Sequence, residues 1–162
     1  MTSGNRKPAT RRRIVAVLIV ALSILAWGLP SAAQEIAGVV QSSQGPATVT
    51  RGGQATPADP GMKLQVGDVL ATGSNGSLGV IFRDDSTLSL GPDSSLVVRE
   101  FLFSPAEHRL GLVARLTKGT MAYLSGVLGK LAPEAVRFET PVATIGIRGT
   151  RFAVKAGEPS PR

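Results

Sequence analysis

From Met62 to Leu116, apolar residues recur at every second position, and this spacing constrains the fold more than any other feature of the chain. Met62, Leu64 and Val66 alternate with Lys63 and Gln65. Leu78, Val80 and Phe82 alternate with Gly79 and Ile81, and Leu88 and Leu90 flank Ser89. Leu110, Leu112, Ala114 and Leu116 hold one parity throughout. A helix buries a face at intervals of three and four. Alternation at two puts one side of an extended chain in a core and the other in water. Polar corners separate these runs: Ser43-Gln44-Gly45-Pro46, Ser74-Asn75-Gly76-Ser77, Arg83-Asp84-Asp85-Ser86 and Gly91-Pro92-Asp93-Ser94. Glycine, proline and aspartate there supply the backbone geometries that turns require. Short strands at a spacing of about ten residues predict an all-β domain.

A weak repeat lies within the series. "DSTLSLG" (Asp85 to Gly91) is echoed by "DSSLVVR" (Asp93 to Arg99), and "NGSLGVIF" (Asn75 to Phe82) is a looser relative. Corner-plus-strand units of this kind suit a compact β-roll or short solenoid-like domain. A meander or sandwich is the alternative. One segment, Leu116 to Val136, carries Met121, Leu124, Val127, Leu128 and Leu131 at helical spacing. Gly119, Gly126 and Gly129 each weaken a helix by about 1 kcal/mol relative to alanine, and Pro133 ends one. A strand over Thr120 to Leu124 followed by a loop is the preferred reading.

The first 33 residues differ in kind. Arg6, Lys7, Arg11, Arg12 and Arg13 precede the apolar run Ile14 to Leu29; Pro30 and the small residues Ser31-Ala32-Ala33 follow. This is the layout of a secretory signal peptide cleaved after Ala33. An uncleaved inner-membrane anchor facing the periplasm is the alternative, although the run is somewhat short for a span of about 20 residues. The net charge of +7 belongs mostly to this leader: from Gln34 onward 13 basic residues face 11 acidic ones. Nucleic-acid binding by the body is therefore not expected, and membrane contact is confined to the N-terminal segment. With no cysteine, the chain has no disulfide, thiol nucleophile or lipid-anchoring thiol. Residues 38–155 form the expected folded domain, periplasmic or secreted, and residues 156–162 a flexible tail.

The stretch "TPVATIGIRGTRFAV" (Thr140 to Val154) interrupts a strand-like pattern with two glycines and an arginine. Val136, Phe138 and Val142 share one parity, Ala143, Ile145 and Ile147 the other, and Phe152 and Val154 return to the first. A sheet absorbs such a slip with a bulge, commonly at glycine in left-handed geometry. Gly146 and Gly149 are placed for it, with Arg148 lifted outward between two strands. A phosphate loop would need a lysine and a following helix, and both are missing. Arg148 has a structural reading, paired to Glu139 or loop carbonyls. It also has a functional one, with Thr150 and Arg151, as a clamp on an anionic group of a partner.

This stretch resembles the C-terminal signature of the FecR-domain family, named for a periplasmic regulator of ferric-citrate uptake. Residues Gly45 to Val98 are similar to the family's N-terminal half. They include "G-D-x-L-x-T-G" at Gly67, Asp68, Leu70, Thr72 and Gly73, and "F-x-D-x-S-x-L-x-L-G" from Phe82 to Gly91. The motif positions Gly67, Asp68, Gly73, Asp85, Gly91, Thr140, Pro141, Gly146 and Gly149 are carried over as structural. The resemblance implies an exported β-rich module that binds or senses in the envelope, in signal transduction or iron-uptake regulation, without a cofactor. Its partner would be an envelope protein or cell-surface ligand. In the iron regulators a cytoplasmic anti-sigma segment precedes a membrane helix. Here only 13 residues precede the apolar run, so the layout is that of the stand-alone, signal-peptide-bearing branch.

Catalytic chemistry has few candidates. His108 is the only histidine and sits in a polar loop, "SPAEHRLG". Asp84, Asp85 and Asp93 could serve a carbohydrate-active or cell-wall enzyme as paired carboxylates. As turn residues they need no catalytic role. Scarce aromatics also weaken a sugar-binding reading, so a non-catalytic module without metal or cofactor is the expectation.

Overall fold

The computed structural model describes residues 35–147 and 151–157. The expected leader, residues 1–33, and the end of the tail lie outside the described residues. So do Arg148, Gly149 and Thr150. Among the described residues, alternation and turn chemistry resolve into twelve strands. They are β1 (Ile36–Gln44), β2 (Ala47–Arg51), β3 (Gln54–Pro57), β4 (Lys63–Gln65), β5 (Val69–Thr72), β6 (Ser77–Phe82), β7 (Thr87–Leu90) and β8 (Ser95–Ser104). After them come β9 (Arg109–Leu124), β10 (Val136–Glu139), β11 (Thr144–Gly146) and β12 (Arg151–Ala156). The only α-helix among the described residues, α1, is a single turn, Leu128–Leu131.

The sheet curls over on itself through β9. On one arm the pairing order is β4-β1-β6-β7-β9-β12; on the other it is β3-β2-β5-β8-β9-β10-β11. The N-terminal part of β9 pairs with β8 and, in parallel, with β10. Its C-terminal part pairs with β7 and β12. All other pairings are antiparallel. Within the sequence repeat, β6 and β7 pair antiparallel as in a meander. The corner before β8 then carries the chain to the other arm, so β7 and β8 meet opposite halves of β9.

Gly119 makes this sharing possible. Leu112, Ala114 and Leu116 are buried before it; Met121 and Tyr123, of the opposite parity, are buried after it. The register of β8 against β9 shifts beside this point, and Gly119 has a φ of 87°. A Cβ at Gly119 would lie 2.4 Å from the Cα of Ser94. A phase change through left-handed glycine is thus present in the fold, at Gly119.

The two arms face each other across one core. Phe82 stacks on Phe101 with ring centroids 5.4 Å apart, and Tyr123 meets Phe138 at 4.8 Å. Phe138 and Phe152 form an edge contact at 5.0 Å. Such pairs add about 0.5–1.5 kcal/mol each beyond their burial.

The C-terminal stretch departs from the sequence expectation. The break falls at Thr140–Ala143, a hairpin turn between β10 and β11, in place of a kink at Gly146. The Thr140 amide donates to the Ala143 carbonyl at 2.7 Å, and the Ala143 amide donates to Thr140 Oγ1 at 3.0 Å. Pro141 has no N–H for a ladder, and in the turn it occupies Thr140 Oγ1 serves as the acceptor for the Ala143 amide. Val142, aligned by parity with Phe138, is 90% exposed at the tip. Gly146 lies outside the left-handed region, and a Cβ there would meet nothing within 4 Å. The bulge assigned to Gly146 is therefore not present at that residue, and Gly149 lies outside the described residues.

Candidate functional site

The motif residues gather at corners where the chain changes direction. Gly67, with a φ of 94°, turns the backbone so that its amide donates to the Val98 carbonyl at 2.7 Å. Asp68 follows, fully buried, and its carboxylate accepts from Arg51 Nε at 2.8 Å, the Arg51 guanidinium at 2.7 Å and the Gln65 amide at 2.8 Å. The same guanidinium donates to the Lys63 carbonyl at 2.8 Å. Arg51 stands on β2 in one arm and Lys63 on β4 in the other, so this fork ties the two arms together. The hydrogen bond to Asp68 raises the Arg51 pKa, against a smaller opposing effect of desolvation.

Thr72 and Ser94 hold the next corner. Thr72 Oγ1 donates to the Gly91 carbonyl at 2.7 Å and accepts from the Ser94 amide at 3.0 Å. Ser94 Oγ accepts from the Thr120 amide at 2.9 Å. The Gly73 amide donates to Pro46, and the Gly73 carbonyl accepts from Asp93 at 3.0 Å. Gly91 is packed so that a Cβ would lie 2.3 Å from Thr120 Oγ1.

The carboxylates named for catalysis occupy different corners. Asp84 is fully buried: it accepts from Ser86 Oγ at 2.7 Å and from the Leu128 amide at 3.2 Å. Its carbonyl accepts from the Val127 amide at 2.7 Å, which anchors α1. Asp85 and Asp93 adopt left-handed φ values of 62° and 49°, as turn aspartates do. Among the described residues no group of three or more His, Asp or Glu side chains could hold a metal ion. His108 is exposed in its loop.

Near Asp84, Tyr123 is buried and burial pushes its pKa up to about 12. The Ser86 and Ser125 hydroxyls oppose part of that rise. Neither meets hydrogen-bond geometry with the Tyr123 hydroxyl, and the hydroxyls of Tyr123 and Ser125 have no partner among the described residues.

Beside Tyr123, whose ring meets Phe138 and Phe152, β11 pairs only with β10 and β12 only with β9 among the described residues. Ile145, Gly146, Ile147, Arg151, Phe152, Ala153 and Val154 line an apolar groove of about 350 Å³ between them. Arg151, Ala153 and Lys155 are exposed, while Phe152 and Val154 are half-buried. Of the three residues expected to meet a partner, the structure places Arg151 on this groove; Arg148 and Thr150 are outside the described residues. Glu139, the expected partner of Arg148, lies 3.8 Å from Arg99. Sequence reasoning missed Arg51. Its partner stands 17 positions away in the sequence, and no local pattern marks the pair.

Fold and corners together define a class, an all-β scaffold whose signature residues support turns and inter-arm contacts. The model of the family described as FecR protein matches residues 68–161, and the chain belongs to that family. FecR domains are associated with signal transduction and iron-uptake regulation in the cell envelope, and are generally non-catalytic. No curated protein and no solved structure matches the chain. Among the described residues no helix is long and apolar enough to cross a membrane.

Proposed function

We propose that this chain is an exported, non-catalytic binding or sensing module of the cell envelope, acting in signal transduction. Its leader, residues 1–33, is cleaved after Ala33, and residues 38–155 form the working domain. The observation that carries this reading is a division of labour. The buried signature acids Asp68 and Asp84 are committed to the scaffold, whereas the groove beside β12 is open and apolar with Arg151 on its rim. Arg151 at that end is offered to an envelope partner, and Arg148 and Thr150, its neighbours in sequence, are proposed to act with it. The enzyme reading through Asp84, Asp85 and Asp93 is disfavoured, because Asp84 is buried and hydrogen-bonded to Ser86 and Leu128.

A photo-crosslinker at Ala153, in cells expressing the full chain, tests the reading. An adduct with an envelope protein is expected, with none from a crosslinker at the exposed Gln54 on β3, at the end of the other arm beside Arg51. No adduct from Ala153, or turnover of peptidoglycan fragments by the purified protein, would remove it. N-terminal sequencing of the exported form should begin at Gln34.

A further inference from the structure

We propose that the groove takes an extended segment of a partner protein, which adds as a strand along β12 and alternates apolar residues with carboxylates. The proposal rests on the module reading and specifies the chemistry of the partner. Among the described residues, the edge of β12 away from β9 carries no paired strand. Such an edge presents a row of backbone donors and acceptors, and pairing with an extended chain satisfies them.

Side-chain alternation along β12 then selects the occupant. Phe152 and Val154 lean toward the groove, half-buried beside Ile145 and Ile147. Arg151, Ala153 and Lys155 are the exposed positions of the strand, and Arg151 and Ala153 also line the groove. An added strand has the same period of two. Its apolar residues would extend the surface of Phe152 and Val154, and the residues between them would fall beside Arg151 and Lys155. Neither cation forms an ion pair among the described residues. Arg137, in register with Gly146 of the groove, adds a third positive charge. The acids nearby are Glu134, in the adjoining depression lined by Gly146 and Ile147, and Glu139, in register with Thr144 and already paired with Arg99 at 3.8 Å. Carboxylates are the complementary groups, and cross-strand pairs of opposite charge favour the register.

The same charges argue against a second copy. Antiparallel pairing of two β12 strands about Ala153 would set Arg151 of each opposite Lys155 of the other. Like charges directly opposite are destabilising. The edge is protected against itself and receptive to an acidic strand.

The test uses the full chain purified from the envelope fraction and a fluorescent synthetic peptide of alternating glutamate and valine. Controls are an alternating lysine–valine peptide and the glutamate–valine peptide N-methylated at alternate residues. Saturable binding of the glutamate–valine peptide is expected, with slowed amide exchange over Arg151–Ala156. Binding should weaken at least about tenfold in the Arg151→Glu, Lys155→Glu double variant, and the N-methylated peptide should not bind. Both substitutions are at exposed positions, and an unchanged melting temperature checks that the variant is folded. Absence of binding, equal binding by the N-methylated or lysine peptide, or indifference to the double variant would each overturn strand addition. If Ala153 still crosslinks to an envelope protein, only strand addition falls; if it does not, the module reading falls as well.

Discussion

The two sides of the domain where the arms end are built differently. On one, Arg51 of β2 grips the buried Asp68 and the carbonyl of Lys63 on β4, closing the arms by side chains. On the other, β11 and β12 leave an apolar groove between them, and Arg151 has no ion-pair partner among the described residues. Both sides carry an arginine. What separates them is the company each keeps. A buried carboxylate makes Arg51 a structural requirement, because an uncompensated buried charge is costly. Arg151 stands in water and is available for a ligand.

The comparison depends on the bend in β9, so the largest effect is expected there. Gly119→Ala would force a side chain into a φ of 87° and against the Ser94 backbone. A loss of about 3 kcal/mol or more is expected by denaturant unfolding, enough to threaten folding of a marginally stable domain. A wild-type midpoint would show that the arms do not need this bend.

Unlatching the closed side comes next. Arg51→Met keeps the aliphatic stem and strands Asp68, costing about 2–4 kcal/mol. The matching change on the open side, Arg151→Met, should stay within about 0.5 kcal/mol. Equal losses in calorimetry would abolish the distinction.

An alkaline titration examines the core beside the open side. Tyr123 titrates at about 12 in the fold and about 10 when unfolded. Below about pH 10 the neutral phenol is present in both states and stability is unaffected. Between about 10 and 12 the unfolded chain ionises first, so stability falls, by roughly 3 kcal/mol at most. Above about 12 the loss levels off. Tyr123→Phe should remove this component at no cost near neutrality, since the hydroxyl has no hydrogen-bond partner. A strong loss on that substitution at pH 7 would reveal a partner for the hydroxyl.

The smallest effect is expected at Gly146. Its missing Cβ faces open space and its φ is not left-handed, so Gly146→Ala should change stability by less than about 0.5 kcal/mol. A marked fall in melting temperature would restore a conformational role for this glycine.

Much of the strand pattern was legible because it is local. Leu78, Val80 and Phe82, or Leu112, Ala114 and Leu116, declare the buried face by parity alone. Asp85 and Asp93 were readable as turn residues for the same reason. The C-terminal hairpin was legible in principle, since a threonine before proline is a turn signal. The parity of Val142 outweighed it, although that residue lies at the tip and faces solvent. Leu128 to Leu131 forms one helical turn because Asp84 supplies acceptors to the amides of Val127 and Leu128. Those acceptors come from 44 residues earlier in the case of Leu128.

The amino-acid sequence by itself determined the β class, the corners and the family signature, since alternation and turn geometry act over a few residues. Tertiary structure alone decided which arginine is structural, where β9 changes phase, and which side of the domain stays open. Those outcomes depend on burial and on partners distant in the chain. Asp68 is read as an ordinary turn carboxylate until the fold removes it from water and delivers Arg51 to it.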